Sequence, residues 1–141
     1  MEKLKLHYDV DGEDFTSAGE ASTDVKRVLR RLGFDSDTMR RVAICMYEGE
    51  INLVIHGGGG VADVEVDENE IVIVLVDHGP GIPDVEQAMQ EGWSTASQTV
   101  RELGFGAGMG LPNMKRYSDE IAIESTVGEG TTVTMKIRPA G

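Results

Sequence analysis

Glu48, Asn52 and His56 recur at intervals of four in a segment that is otherwise nearly all apolar. From Val42 to Ile55 the chain reads VAICMYEGEINLVI, and only Glu48, Gly49, Glu50 and Asn52 break the hydrophobic run. At 3.6 residues per turn, this spacing predicts a helix with the three side chains in one stripe. Such a helix is buried on most sides, and a carboxylate and an amide within it are costly unless something pairs with them. The fold must therefore hold a core helix with one polar stripe turned toward a partner, most simply a ligand.

Composition limits what that ligand can be. The chain has 141 residues, enough for one domain that buries about two-thirds of its unfolded surface. It is 40% hydrophobic and 27% charged, with a formal net charge of -12. No basic stripe could neutralise nucleic-acid phosphates, which argues against nucleic acid as a partner. A bound polyphosphate would need a metal ion and backbone donors to offset the same charge. The single cysteine, Cys45, lies within the apolar helix and has no intrachain disulfide partner, which points to a reducing cytoplasm. The amino terminus lacks an apolar signal core, and no apolar stretch nears the roughly 18 residues that span a bilayer, so no membrane association is expected.

The remaining pattern gives an order of elements. Leu4–Val10 alternates like an edge strand. A first helix begins at Ser17 or Thr23, runs to Leu32 and is closed by Gly33. Ser36 with Asp37 caps the second helix, which carries the polar stripe and stops at Gly57–Gly60. Val61–Asp67 and Glu70–Val76 read as strands around a turn at Glu68–Asn69. Pro83–Gln90 reads as a short helix, and about 91–107 as a mobile polar loop. A third helix spans Gly108 to Tyr117, followed by strands Glu120–Thr126 and Thr131–Arg138. Without repeat or linker, residues 1–141 are expected to form a single α/β domain with helices on one side of a mixed sheet.

Two glycine motifs follow the stripe. Val76-Asp77-His78-Gly79-Pro80-Gly81 leaves a strand into a tight turn. The aspartate there can accept a hydrogen bond from an exocyclic amine, and two glycines allow close approach to a flat ring. The same residues also suit an ordinary strand-to-helix turn. Gly104-Phe105-Gly106-Ala107-Gly108-Met109-Gly110 then precedes a helix. Its N–H groups and the positive end of the helix dipole suit a phosphate chain, although a hinge would read the same way. It lacks the third glycine of the dinucleotide fingerprint, since Met109 or Leu111 stands there, and it lacks the phosphate loop, since no Gly-Lys pair occurs in the chain.

In this order, Glu48…Asn52…His56-Gly57, Asp77-x-Gly79-x-Gly81 and Gly106-x-Gly108-x-Gly110 resemble the N, G1 and G2 boxes of the GHKL ATPase superfamily. Within it, the chain is most similar to small serine/threonine kinases of the anti-sigma-factor and switch-kinase type. Asp77–Asp84 and Gly110–Arg116 look like the switch kinases, while Glu124–Val133 fits both groups. The resemblance spans roughly Met39 to Ile137. It implies a GHKL (Bergerat-type) fold: an α+β two-layer sandwich with a mixed, mostly antiparallel sheet, holding ATP under a lid at about 91–107.

By the same resemblance, Asp77 would bind the adenine amine with Thr131 nearby, and Gly79 and Gly81 would shape that turn. Asn52 would coordinate Mg²⁺, and Gly106, Gly108 and Gly110 would offer N–H groups to the phosphates. Glu48 would accept the proton of the attacking hydroxyl. The donor types agree with the chemistry, since a hard cation wants oxygen ligands and phosphoryl transfer depends on positioning and charge neutralisation. Arg101 is the only basic residue of the lid and the candidate for the terminal phosphate; a solvated surface arginine fits equally. Trp93 would anchor the lid to the domain or to a partner. Glu50 points about 160° away from Asn52 on the helix and is expected at a solvent or interface contact. Gly49 sits where a small residue suits close packing. His56 is given no proton-transfer role.

Two functions fit these expectations. One is a protein kinase that transfers the γ-phosphate of ATP to a partner, a STAS-type anti-sigma antagonist or a sigma or other regulatory protein. The other is an ATP-controlled, anti-sigma-like binding module with weak or no transfer. A homodimer is compatible with either.

Overall fold

In the computed structural model, the described residues are 2–13, 18–55, 58–82, 85, 89 and 110–139. They form β1 (Leu4–Asp11), α1 (Glu20–Arg31), α2 (Ser36–Ile55), β2 (Gly59–Val66), β3 (Ile71–Asp77), α3 (Gly110–Tyr117), β4 (Glu120–Thr126) and β5 (Gly130–Ile137). The sheet order is β1-β2-β3-β5-β4. The antiparallel majority expected from sequence extends to all four ladders.

Strand alternation and register explain the core. Side chains two apart share a face, so pairing aligns Leu6, Val64, Ile73, Met135 and Ile121 in one row across the sheet. Tyr8, Ala62, Leu75, Val133 and Ile123 form the next row. Both rows join the apolar cluster with Val25 and Leu29 of α1, Val42 and Met46 of α2, and Met114 of α3. Each fully buried side chain of this size contributes about 1.5–3 kcal/mol. The opposite face carries half-buried Val72 and Val74 between polar and charged residues of neighbouring strands, and Val76 between Val61 and Thr132.

The helix starts depart from the expected caps. The α2 N-cap is Asp35, one residue before Ser36: its carboxylate accepts from the Thr38 backbone N–H at 2.9 Å and from the Thr38 hydroxyl at 2.6 Å. These bonds hold the Asp35 carboxyl below its ordinary range. At the end of α1, Gly33 is left-handed (φ 84°), with Gly33 N–H bonded to Arg30 and Phe34 N–H to Leu29. This closure is the one Gly33 predicted. The start of α1 is neither expected residue, since the N-cap is Gly19 and makes no side-chain cap bond. Thr23 lies inside the helix, and Ser17 lies outside the described residues.

Gly49 shows how tightly α2 rests on the sheet. A Cβ at this position would lie 2.2 Å from Leu75 Cδ1, so the small residue is required by packing. One turn later, Leu53 lies against Gly60, which itself abuts the Val76 carbonyl. The turns of α2 that carry Glu48 and Asn52 therefore cross the Leu75–Asp77 end of β3. No helix among the described residues is long and apolar enough to cross a membrane.

Candidate active site

Helix α3 runs antiparallel along α2, and its first turn meets the polar stripe. A Cβ at Gly110 would lie 3.0 Å from Asn52 Oδ1, so glycine makes room for the Asn52 amide where α3 begins. Three residues on, Asn113 Nδ2 donates to Glu48 Oε1 across 3.4 Å. Deeper in the same seam, the Cys45 thiol faces the Met114 carbonyl at 3.8 Å, and at its exposed far end Arg40 stacks over the Tyr117 ring. Burial pushes the Cys45 thiol up to about 12. Desolvation likewise raises the Glu48 carboxyl, and the Asn113 amide opposes that rise.

The second cluster closes the polar end of the sheet. The inner-face rows that run through Val64 and Ala62 end in Asp77, Thr131 and Ser125, which pair across β3, β5 and β4. Asp77 Oδ1 accepts the Gly79 N–H at 2.9 Å and the Thr131 N–H at 3.2 Å. No hydrogen bond to Asp77 Oδ2 is made among the described residues. Thr131 is only 8% exposed, and its hydroxyl meets that of Ser125 at 2.8 Å. Ser125 Oγ also accepts the Ile82 N–H at 2.6 Å, tying the turn after β3 to β4.

The glycines of that turn serve the chain itself. Gly81 has φ 79°, and a Cβ there would meet the Thr126 carbonyl at 2.6 Å. Glycine at 81 is thus demanded by the backbone and by the β4–β5 turn, a different reason from approach to a ring. Gly130, whose Cβ would lie 2.2 Å from the Asp77 carbonyl, allows β5 to close on Asp77 in the same way.

Glu50 corrects its expected place at a solvent or interface contact. It is 3% exposed and accepts three backbone N–H groups at the start of α1: Gly19 at 2.8 Å, Ala21 at 3.2 Å and Ser22 at 3.0 Å. The Ala21 and Ser22 N–H groups are the donors an N-cap side chain would satisfy, and the negative charge suits the positive helix end. A residue of α2 therefore caps α1, which is why Gly19 suffices there.

The structure brings Glu48, Asn52 and Gly110 into one seam and Asp77, Gly79, Gly81 and Thr131 to the adjoining sheet end. His56, Trp93, Arg101, Gly106 and Gly108, with the 91–107 loop, lie outside the described residues, as does most of the Pro83–Gln90 segment. Sequence reasoning missed Asn113, Ser125 and the capping role of Glu50. Asn113 was signalled by its place one turn after Gly110, and Ser125 by alternation with Ile121 and Ile123.

A profile of the histidine kinase-like ATPase domain matches residues 13–137. The chain belongs to this family. Among its relatives, the serine/threonine-protein kinase RsbT of Bacillus subtilis is 33% identical over 112 residues, covering 77% of this chain and 78% of the relative. The anti-sigma F factor of a Thermoanaerobacter species is 38% identical over 120 residues, covering 82% and 80%. Among solved structures, the RsbU and RsbW domains of a Mycobacterium tuberculosis protein superpose with TM-score 0.67 at 18% identity. That match covers 96% of this chain and 32% of the other, so this ATPase domain spans about a third of the solved chain. At such identity the likeness speaks for the fold alone, and the fold is the expected two-layer α/β sandwich of the family.

Proposed function

We propose that the chain is an ATP-dependent serine/threonine protein kinase of the anti-sigma-factor and switch-kinase type. The observation that carries this reading is Glu48: a half-buried, desolvated carboxylate placed one helical turn from Asn52, in the seam where α3 begins. A carboxylate with a raised proton affinity suits general-base work on a hydroxyl. Family membership and the kinase and anti-sigma names of relatives at 33% and 38% identity support the same assignment.

The donor set fits the nucleotide. Asp77 keeps one carboxylate oxygen for an exocyclic amine while its other oxygen is fixed by two backbone N–H groups. Thr131 completes that end, with Gly79 and Gly81 forming the turn. The Asn52 amide oxygen is the kind of ligand Mg²⁺ takes. Gly110, with Gly106 and Gly108 of the same motif, would face the phosphates, and Arg101 would reach the terminal one. ATP would supply the phosphoryl group, with Mg²⁺ offsetting phosphate charge in a chain of net charge -12. Glu48 would orient the partner's hydroxyl and take its proton. Residues 1–141 form one such domain in this reading, with 91–107 as the lid.

The partner is a regulatory protein, and a STAS-type anti-sigma antagonist is the specific candidate. Incubation of the purified chain with γ-labelled ATP, Mg²⁺ and a STAS-type protein from the same genome should place phosphoserine or phosphothreonine on that protein. Tight ATP-dependent binding without transfer would replace the kinase reading by an anti-sigma-like binding module.

A further inference from the structure

The antiparallel seam between α2 and α3 has a register. Asn52 meets Gly110, Glu48 meets Asn113, Cys45 meets Met114, and Arg40 meets Tyr117. Moving down α2 by a turn moves up α3 by a turn, so the first turn of α3 touches both polar residues of the stripe. Gly110 lacks a side chain and leaves the Asn52 amide uncovered by any Cβ. Asn113 does the reverse, presenting an amide N–H to the Glu48 carboxylate.

That amide is the only hydrogen-bond partner of Glu48 among the described residues, and no cation pairs with the carboxylate among them. A glutamate side chain has three rotatable bonds, and holding it in one rotamer within a half-buried seam requires a directional contact. Hydrophobic neighbours fill space but do not select which oxygen faces the reaction. We propose that Asn113 is a positioning residue, whose side-chain amide fixes the Glu48 carboxylate on the α3 side of α2, next to the point where Gly110 meets Asn52. This inference rests on the kinase reading. It adds that the helix following the phosphate-facing glycine motif also aligns the base, so nucleotide seating and base alignment share one element.

The test uses the full chain with Mg-ATP and its STAS-type protein substrate. Asn113→Leu keeps the approximate volume and removes the donor. The expected result is a fall in kcat of about tenfold, the scale of a misaligned group, with KM for ATP, calorimetric ATP affinity and the urea midpoint unchanged. Asn113→Gln restores part of the rate, because it returns a donor. In a Glu48→Gln background, Asn113→Leu costs little further, since the group it positions is already gone. Independently of activity, the side-chain amide resonance of Asn113 moves on Glu48→Gln substitution. Wild-type kcat in Asn113→Leu would overturn the proposal, as would parallel losses of ATP affinity and stability, or an amide resonance that ignores Glu48. A wild-type chain that transfers no phosphate would instead bring down the kinase reading itself.

Discussion

Glu48 and Glu50 stand two residues apart on one helix, and the two sides of α2 treat their carboxylates in opposite ways. On the α1 side, Glu50 is almost fully buried and receives three backbone N–H groups. On the α3 side, Glu48 is half-buried and receives one side-chain amide across a long 3.4 Å contact. Burial of a charge is tolerated when its lone pairs are satisfied. Glu50 is satisfied by the fold and therefore holds the fold together. Glu48 is desolvated with only the Asn113 amide to offset it, so its proton affinity is raised, which suits the proposed general-base role.

Substitutions on each side can break this contrast. Glu48→Gln should reduce phosphate transfer by about 10²–10⁴-fold, the usual worth of a general base, measured by label on the partner protein. Its stability at neutral pH should match or exceed wild type. The folded Glu48 carboxyl is raised, so its ionised form opposes folding at pH above the unfolded value, and the difference should shrink as pH falls through the folded value. A large stability loss in Glu48→Gln would erase the distinction between the two residues.

Glu50→Leu should act in the other direction, costing about 3 kcal/mol of stability in urea unfolding by orphaning helix N-terminal donors. An unchanged urea midpoint would show that α1 does not need this cap. Asp77→Asn combines the two situations, because one oxygen is held by the fold and the other is open. Calorimetric ATP affinity should fall about 10- to 100-fold, as expected for a lost hydrogen bond to a charged group. Equal affinity would remove Asp77 from the adenine end.

Gly49→Ala probes the residue between the two glutamates. Its Cβ would press on Leu75 Cδ1, and overpacking of this kind costs about 1–3 kcal/mol. Stabilisation, as helix propensity alone would give, would mean that α2 can lift from β3. The smallest effect belongs to exposed His7, where hydrogen bonds to Asp63 and Asp9 raise the imidazole above 6.5. Its contribution is present below the unfolded value and is lost as pH rises through the folded one. The stability gap between wild type and His7→Gln should therefore close between mildly acidic and mildly alkaline pH.

Much of the architecture was legible because it is locally coded. Alternation placed β4 at Glu120–Thr126 to the residue, and Gly33 marked the end of α1 through its left-handed backbone. The Asp35 cap was misplaced by one residue, since Ser36, Asp37 and Asp35 all have capping side chains and only the Thr38 contacts distinguish them. The candidate site was legible as spacing: Glu48 and Asn52 one turn apart, Asp77 at a strand end, Gly110 opening a helix. The contacts that bring in Asn113 and Ser125 were not, because Glu48 lies 65 residues from Asn113 and Ile82 lies 43 from Ser125 in the chain.

By itself the sequence determined the order of elements, the polar stripe in a core helix and the glycine motifs, because periodicity and backbone freedom act between near neighbours. Only the tertiary structure decided which glutamate caps a helix and which is left half-buried with a single long side-chain contact. Solvation and the supply of donors are properties of the surroundings, and α1 and α3 bring very different surroundings to the two sides of α2.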